Sequence, residues 1–341
     1  VQARPIYSIT ADRISNNGTW WAGEMAVGLD GSLYFESIYD TDNGQQGYIF
    51  YKYNVTGSKV WEVKTETYGW FKKSDFSSDS RSSIDVATNG SVVLALDNGF
   101  AYISADGTPT FLDSDYPNFQ SGVVGPGQCM FMGDTGEIAF ASQSSGSVNE
   151  YFVYNIETKT LKWQFNSEVT AFQIDASNNG NYIIFTNGTQ MLFKSADANT
   201  LFTKAVGDVK ASSVANNGYV GLASSTKGWF IYDQTGQTVL SGTGEDGDRY
   251  YDIDMDLEGL WFAVAGYNVK TGSAFMEIWS LDDEEYNYPK FTRALREEKT
   301  DDDGDLRSYR VKMGEGSVTV LWAWSGSPEA GAMEYKLIKS I

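Results

Sequence analysis

The sequence predicts an all-β chain built from repeated units, and three observations lead to that prediction. Segments of alternating polar and apolar residues recur along the whole chain of 341 residues. Turns that end in glycine separate these segments at regular intervals. Helical periodicity is almost absent, and only 292–298 has a pattern that could form a single helical turn.

The repeat is clearest around these turns. A short apolar segment follows each glycine, for example Ser-Leu-Tyr-Phe after Gly31 and Ser-Val-Val-Leu-Ala after Gly90. Asn-Gly and Asp-Gly pairs accept the positive φ angles of a tight hairpin, so each turn predicts two antiparallel strands. The turn glycines are Gly31, Gly90, Gly136, Gly180, Gly218, Gly259 and Gly316.

A third and a fourth strand are predicted after each hairpin, as in Tyr48–Tyr53 followed by Lys59–Val63. Four antiparallel strands per unit, in units spaced by roughly 40 to 60 residues, are typical of a β-propeller. The predicted blades span 20–67, 82–117, 121–167, 169–209, 210–247, 248–299 and 304–341.

The two ends of the chain complete the predicted ring. The last unit ends on its third strand, near Ile338, and therefore lacks a fourth strand. The N-terminal segment 4–11 has the alternation needed to fill that place. We therefore predict a single propeller domain over 1–341, with seven four-stranded blades and a ring closed by the N-terminal strand in the last blade.

Turns between third and fourth strands carry a shared motif. Tyr53–Trp61 reads Tyr-Asn-Val-Thr-Gly-Ser-Lys-Val-Trp, Tyr154–Trp163 is similar, and Tyr232–Gln237 lacks the tryptophan. These turns resemble the repeat of PQQ-like (quinoprotein-type) propellers, whose turn carries Asp-x-x-Thr-Gly followed by a docking tryptophan. The Asn-Gly and Asp-Gly turns also resemble those of WD40-like surface propellers. The resemblance implies a propeller fold.

The resemblance does not imply a quinone-dependent enzyme. The dehydrogenases of that superfamily have eight blades, a disulfide between adjacent cysteines and a cofactor held by calcium. This chain has one cysteine, Cys129, and seven predicted units, so it departs from that pattern. It is more similar to the non-catalytic scaffolds and cell-surface propellers of the superfamily.

Composition narrows the range of partners. The formal net charge is −20, which repels nucleic-acid phosphates and anionic lipid headgroups. Partners are expected to be proteins, including further copies of this chain, or glycans, with divalent cations as possible bridges. The chain contains no histidine, the commonest general base.

Several features predict an extracellular or cell-surface location. The chain opens on Val1, as a processed secreted protein would, and no apolar run approaches the length of a membrane span. Sequons for N-glycosylation occur at predicted turns, where an acceptor must be exposed. They begin at Asn17, Asn54, Asn89 and Asn187.

Three aspartates occupy equivalent positions in the repeat. Asp85, Asp175 and Asp254 each stand five residues before a turn glycine, on first strands that line the centre of a propeller. One interpretation is a metal site or an acid/base pair. The other is hydrogen bonding to backbone groups or a hydrated channel wall, and the sequence leaves both open.

Two acidic loops offer oxygen ligands of the kind that calcium prefers, and calcium is the one candidate cofactor. The loops could equally be solvated acidic turns, since neither completes an EF-hand pattern. Their predicted ligands are Asp40, Asp42, Asp301, Asp303 and Asp305.

Three tryptophans near predicted loops are candidate contact residues for a sugar or a protein partner, namely Trp20, Trp21 and Trp70. Most aromatic residues of a propeller instead fill the space between blades.

These features together predict a secreted or cell-surface, non-enzymatic propeller that acts as an interaction or assembly module. Self-association into a surface layer or filament is one form of that role. The alternative is a carbohydrate-binding or carbohydrate-active propeller that uses the channel carboxylates.

Overall fold

A computed structural model of the chain shows the strands of the predicted repeat. The residues that it describes are 2–10, 22–28, 30–40, 46–64, 67, 84–96, 99–112, 129–132, 137–143, 149–158, 160–167, 173–186, 188–282, 290–299, 306–314, 316–324 and 330–338.

The described strands form small antiparallel sheets of four strands each, arranged as in a propeller. Most sheets consist of four consecutive strands, beginning with β2 (Ala22–Val27), β3 (Leu33–Asp40), β4 (Gln46–Tyr53) and β5 (Lys59–Lys64). The next three sheets contain β6 (Ile84–Val86), β7 (Val92–Leu96), β8 (Gly99–Ile103) and β9 (Pro109–Leu112); β10 (Cys129–Met132), β11 (Glu137–Gln143), β12 (Asn149–Asn155) and β13 (Thr160–Ser167); and β14 (Gln173–Ala176), β15 (Tyr182–Thr186), β16 (Gln190–Ser195) and β17 (Thr200–Ala205).

Two further sheets follow in the same way, and the last one draws on both ends of the chain. They contain β18 (Val209–Val214), β19 (Val220–Ser224), β20 (Gly228–Tyr232) and β21 (Thr238–Gly242); and β22 (Asp248–Met255), β23 (Trp261–Asn268), β24 (Ser273–Asp282) and β25 (Lys290–Lys299). The last sheet has the order β1 (Gln2–Thr10), β28 (Ala330–Ile338), β27 (Ser317–Trp324) and β26 (Leu306–Gly314).

The first strands of successive sheets lie against one another. In chain order β2 contacts β6, β6 contacts β10, β10 contacts β14 and β14 contacts β18. The series continues from β18 to β22 and from β22 to β26, and β26 also contacts β2. The backbones of neighbouring first strands therefore lie close together.

The hairpin turns after the first strands explain why glycine recurs there. At Gly90 the backbone N–H donates to the carbonyl of Ala87 at 2.8 Å, and φ is 83°. Such a φ lies in the left-handed region, which glycine adopts without steric cost. The predicted turn glycines with positive φ are Gly31, Gly90, Gly180, Gly218, Gly259 and Gly316, whereas Gly136 lies outside the described residues.

The turns between third and fourth strands connect adjacent sheets. Trp61 on β5 lies on the turn before β9, where its indole N–H donates to the carbonyl of Ala105 at 3.3 Å. A methyl group added to Gly107 would lie 2.9 Å from Cγ of Trp61, so the indole needs a glycine there. Phe202 packs on Gly236 in the same manner, with 3.0 Å to an added methyl group.

The core lies between neighbouring sheets. Between the β18–β21 and β22–β25 sheets, Trp229 and Phe262 are fully buried, with ring centroids 5.0 Å apart. Ile253 and Phe275 belong to the same apolar cluster. Apolar burial of this kind is the main force that holds one sheet against the next.

The one segment whose pattern could form a helical turn, 292–298, is a strand. These residues belong to β25, which pairs with β24 along its length, and Leu295 lies opposite Ile278. Pairing with a neighbouring strand outweighs a weak local helical preference. Within the described parts of the chain, no helix is long and apolar enough to cross a membrane.

Candidate functional site

The three predicted carboxylates stand at one structural position. Asp85 pairs with Val93, Asp175 with Ile184 and Asp254 with Ala263, in each case in the second residue pair from the hairpin turn. The second pair of the fifth sheet holds Ser213, which pairs with Gly221. On the last sheet Lys312 pairs with Thr319, in the third pair from its turn.

These residues, with Asp252, form what we term the first-strand cluster: Asp85, Asp175, Asp252, Asp254 and Lys312. Burial alone would lower the pKa of Lys312, but the charges of the four carboxylates together raise it. The ammonium nitrogen lies 3.8 Å from Oδ1 of Asp254. Four carboxylates thus share one nearby lysine, and the cluster has an excess of negative charge.

Asp252 and Asp254 fasten one sheet to the next. Oδ2 of Asp254 accepts a hydrogen bond of 2.7 Å from the backbone N–H of Met313, and Oδ2 of Asp252 accepts one of 2.9 Å from Val311. Oδ1 of Asp254 accepts a third, of 2.9 Å, from the Ser213 hydroxyl on β18. Asp254 therefore connects three sheets through hydrogen bonds to its two oxygens.

Asp175 is distinguished by its raised pKa. Burial raises its pKa well above the ordinary value of 3.8, and the charges of Asp254 and Asp85 raise it further, while Lys312 acts in the opposite direction. A carboxyl group in this position holds its proton at a higher pH than an exposed aspartate does. The cluster therefore combines hydrogen-bonded carboxylates with one carboxyl group that resists ionisation.

A second group of charged residues lies at the other end of β22, and we term it the arginine cluster: Asp248, Glu277, Arg293 and Arg296. Arg296 donates to both oxygens of Asp248, at 2.8 and 3.1 Å, and to Oε1 of Glu277 at 2.8 Å. Arg293 donates to the same oxygen at 3.0 Å, and the indole N–H of Trp279 donates to Oε2 at 3.1 Å. The side chains of Asp248 and Glu277 are 0% and 1% exposed.

Burial would raise the pKa of Asp248, but hydrogen bonds from Arg296, from the Glu245 backbone and from Asn268 bring it below the ordinary value. Burial would lower the pKa of Arg296, but its hydrogen bonds to Asp248, Glu277 and Glu298 raise it. The two buried carboxylates thus meet two guanidinium groups, and the more exposed Glu245 and Glu298 also pair with Arg296.

The sequence identified Asp85, Asp175 and Asp254 but missed Lys312 and the arginine cluster. Lys312 stands four residues before Gly316 rather than five, because the β26–β27 hairpin is shorter. Lys312 lies in the third residue pair from its turn, so the spacing that identified the three aspartates did not include it. Arg296 and Asp248 are far apart in sequence and meet only through the pairing of β22, β23, β24 and β25.

Most predicted ligands and contact residues lie outside the described residues. Asp40 is the last residue of β3, but its side chain is not described. Among the residues that are described, no group of three or more acidic or cysteine side chains is placed to hold a metal ion. The predicted residues outside the description are Asp42, Asp301, Asp303, Asp305, Trp20, Trp21, Trp70, Asn17 and Asn187.

Two sequon asparagines fall within the described turns. Oδ1 of Asn54 accepts hydrogen bonds from the backbone N–H of Thr56 and of Ser58, each at 3.0 Å. Oδ1 of Asn89, on an exposed side chain, accepts one of 2.8 Å from the N–H of Ser91. Both asparagines therefore shape tight turns, and their glycosylation stays a prediction.

No protein-family model matches the sequence, and neither does any curated protein. The resemblance to quinoprotein-type and WD40-like repeats therefore rests on the turn motifs alone. The propeller-like arrangement of small antiparallel sheets is the feature that sequence and structure share.

Proposed function

We propose that this chain is a non-enzymatic β-propeller that works outside the cell as an interaction or assembly module. The observation that carries this proposal is that Asp252 and Asp254 accept backbone hydrogen bonds that join β22 to β26. Carboxylates that hold the framework together are not available for acid/base chemistry. The propeller-like fold itself suits a protein-interaction module.

We include in this proposal a closed ring of seven blades within one domain, 1–341. It is supported by the contacts that run from each first strand to the next and return from β26 to β2. It is also supported by the pairing of β1 with β28, which combines strands from both chain ends in one sheet. A closed ring leaves each blade covered on both faces, as a propeller requires.

The proposed partners are proteins, with further copies of this chain among them, or glycans. The net charge of −20 favours neutral or cationic partners over nucleic acids and anionic membranes. Calcium would serve to bridge acidic surfaces rather than to carry out a reaction. The sequons support an extracellular or cell-surface location.

The first experiment measures the assembly state of the purified chain by light scattering and negative-stain electron microscopy, with and without millimolar calcium. We expect filaments, sheets or defined oligomers whose amount rises with protein concentration. A monomer under every condition would exclude self-association and leave binding to a different partner as the role.

A carbohydrate-binding or carbohydrate-active propeller is the second candidate, and Asp175 is the observation in its favour. A carboxyl group with a raised pKa near ionised carboxylates is the arrangement that glycosidases use for acid catalysis. Glycan-array binding and hydrolysis of polysaccharides would be measured for the wild type and for Asp175→Asn. The matched control is Asp197→Asn, at an exposed aspartate outside the cluster. Loss of binding or turnover in Asp175→Asn alone, with the fold intact, would favour this candidate.

A further inference from the structure

The last sheet differs from the others in how it is assembled. Every other sheet is formed by four consecutive strands, whereas this one takes β26, β27 and β28 from one end of the chain and β1 from the other. Its outermost strand is therefore joined to its neighbours by hydrogen bonds alone and not by a hairpin turn. The edge of β28 is a site that accepts a separate strand.

The ladder between β1 and β28 is interrupted. Pairing runs from Gln2 to Pro5 and again from Ser8 to Thr10, with a shift of register between the two runs. Pro5 has no N–H to donate. The shift of register and the missing N–H interrupt the regular ladder, and an interrupted ladder is a place where local opening can begin.

The main contacts of β1 outside its own sheet partner β28 are with β25. The described backbone of β1 thus forms its ladder with β28 and lies near β25. A strand of the same sequence from a second copy would form the same ladder in the same register, so exchange would replace each hydrogen bond with an identical one.

We propose that copies of this chain associate by exchanging β1, so that residues 2–10 of one copy pair with β28 of another. The inference rests on the proposed function, because it gives the mechanism by which the module self-assembles. Eleven residues, 11–21, separate β1 from β2 along the chain, and a segment of that length spans at most about 40 Å. One-way exchange builds an open filament, and reciprocal exchange builds a closed dimer.

Concentration decides between the closed monomer and the exchanged form. Within one chain β1 is tethered to its site, which gives it an effective concentration on the order of millimolar. Exchange between copies therefore needs a comparably high local concentration. A chain held at high density on a surface meets that condition, and a dilute chain in solution does not.

The experiment traps the ladder with disulfides in the full-length chain. In a Cys129→Ser background, one variant carries Ile9→Cys with Ala332→Cys, and a second carries Ser8→Cys with Met333→Cys. Neighbouring pairs alternate between hydrogen-bonded and non-hydrogen-bonded geometry, so the two variants cover both. After oxidation, non-reducing denaturing electrophoresis separates links within a chain from links between chains.

The matched control places both cysteines on one hairpin. Thr319 lies opposite Glu334 in the β27–β28 ladder, so Thr319→Cys with Glu334→Cys can link only within a chain if β1 is the strand that exchanges. We expect this control to stay at monomer mass at every concentration. We expect both β1 variants to give monomer mass when dilute and a ladder of covalent multimers when concentrated.

Two other results would overturn the inference in different ways. Assemblies in which the β1 variants link only within chains would exclude strand exchange but leave self-association through the faces of the propeller. Linking within chains without any assembly at all would exclude both strand exchange and the self-association part of the proposed function.

Discussion

The two charged clusters share one strand, β22, and are built in opposite ways. At the start of β22, Asp248 enters the arginine cluster, where Asp248, Glu277 and Arg296 are buried and paired and Arg293 is exposed. Near its end, Asp252 and Asp254 enter the first-strand cluster, where four carboxylates share Lys312. In the first cluster arginines pair with the buried carboxylates of one sheet, whereas the second cluster joins several sheets and has one lysine for four carboxyl groups.

The comparison shows that residue type alone does not determine the role of a buried carboxylate. Hydrogen bonds from Arg296 keep Asp248 ionised, while burial among other carboxylates keeps Asp175 protonated to a higher pH. Removal of one partner from the arginine cluster is therefore expected to lower the free energy of unfolding. The first-strand cluster is expected to respond to pH and to cations.

The largest effect is expected for Arg296→Met. The substitution leaves Asp248 without its bidentate partner and Glu277 with one guanidinium fewer, so the free energy of unfolding should fall by about 3–5 kcal/mol. Urea unfolding monitored by tryptophan fluorescence measures this change. The control is Lys59→Met, which breaks an exposed pair with Glu62 that has the same 2.8 Å distance. The free energy of unfolding should fall by less than about 1 kcal/mol in this control. Equal losses in both variants would contradict the expectation that the buried pair stabilises the fold more than the exposed pair.

Removal of the shared lysine is expected to have the next largest effect. Lys312→Gln leaves the four carboxylates without a cation, and the free energy of unfolding at pH 7 should fall by about 2–3 kcal/mol. Acidification to pH 5 should restore part of the loss, because protonation relieves the repulsion between carboxylates. Lys312→Arg is the control and should retain most of the stability. A loss that stays the same at pH 5 and pH 7 would show that packing, and not charge, is responsible.

A smaller effect is expected for Asp254→Asn. The amide carries no charge and has one acceptor oxygen, so the Met313 N–H loses its charged acceptor in either orientation of the amide. The free energy of unfolding should fall by about 1–2 kcal/mol, measured by urea titration. Hydrogen exchange at the Met313 amide locates the effect, since its protection should decrease while that of the Val311 amide, held by Asp252, stays unchanged. If the Met313 amide is protected as strongly in Asp254→Asn as in the wild type, the hydrogen bond from Met313 to Asp254 does not help to hold the two sheets together.

The sequence predicted the fold well because the propeller repeat depends on local signals. Gly90 and Gly218 have the positive φ that their Asn-Gly pairs predict, and the strands begin and end around such turns. The equivalence of Asp85, Asp175 and Asp254 followed from the same spacing.

What the sequence did not predict depends on contacts between segments that are distant in the chain. Lys312 follows a different spacing because its hairpin turn is shorter, and its charge matters only when neighbouring sheets come together. The pairing of Arg296 with Asp248 requires the full sheet from β22 to β25. A polar residue on a strand carries no signal of its own for which distant residue it will meet.

The smallest effect, and the sharpest test of the comparison, is the pH dependence of stability. The pKa of Asp175 is raised in the folded chain, so its contribution to stability is complete below the ordinary value of 3.8 and is lost as pH rises through the folded value. The pKa of Asp248 is lowered, so its contribution is present above 3.8 and is lost as pH falls through its folded value. Above pH 3.8, the free energy of unfolding should therefore decrease less steeply with pH in Asp175→Asn than in the wild type. Below pH 3.8, the pH dependence of the two proteins should be the same. Urea midpoints measured from pH 3 to pH 8 on the wild type, Asp175→Asn and the exposed control Asp197→Asn test this expectation. An unchanged pH profile in Asp175→Asn would mean that Asp175 ionises freely, and the first-strand cluster would then lose the property that sets it apart from the arginine cluster.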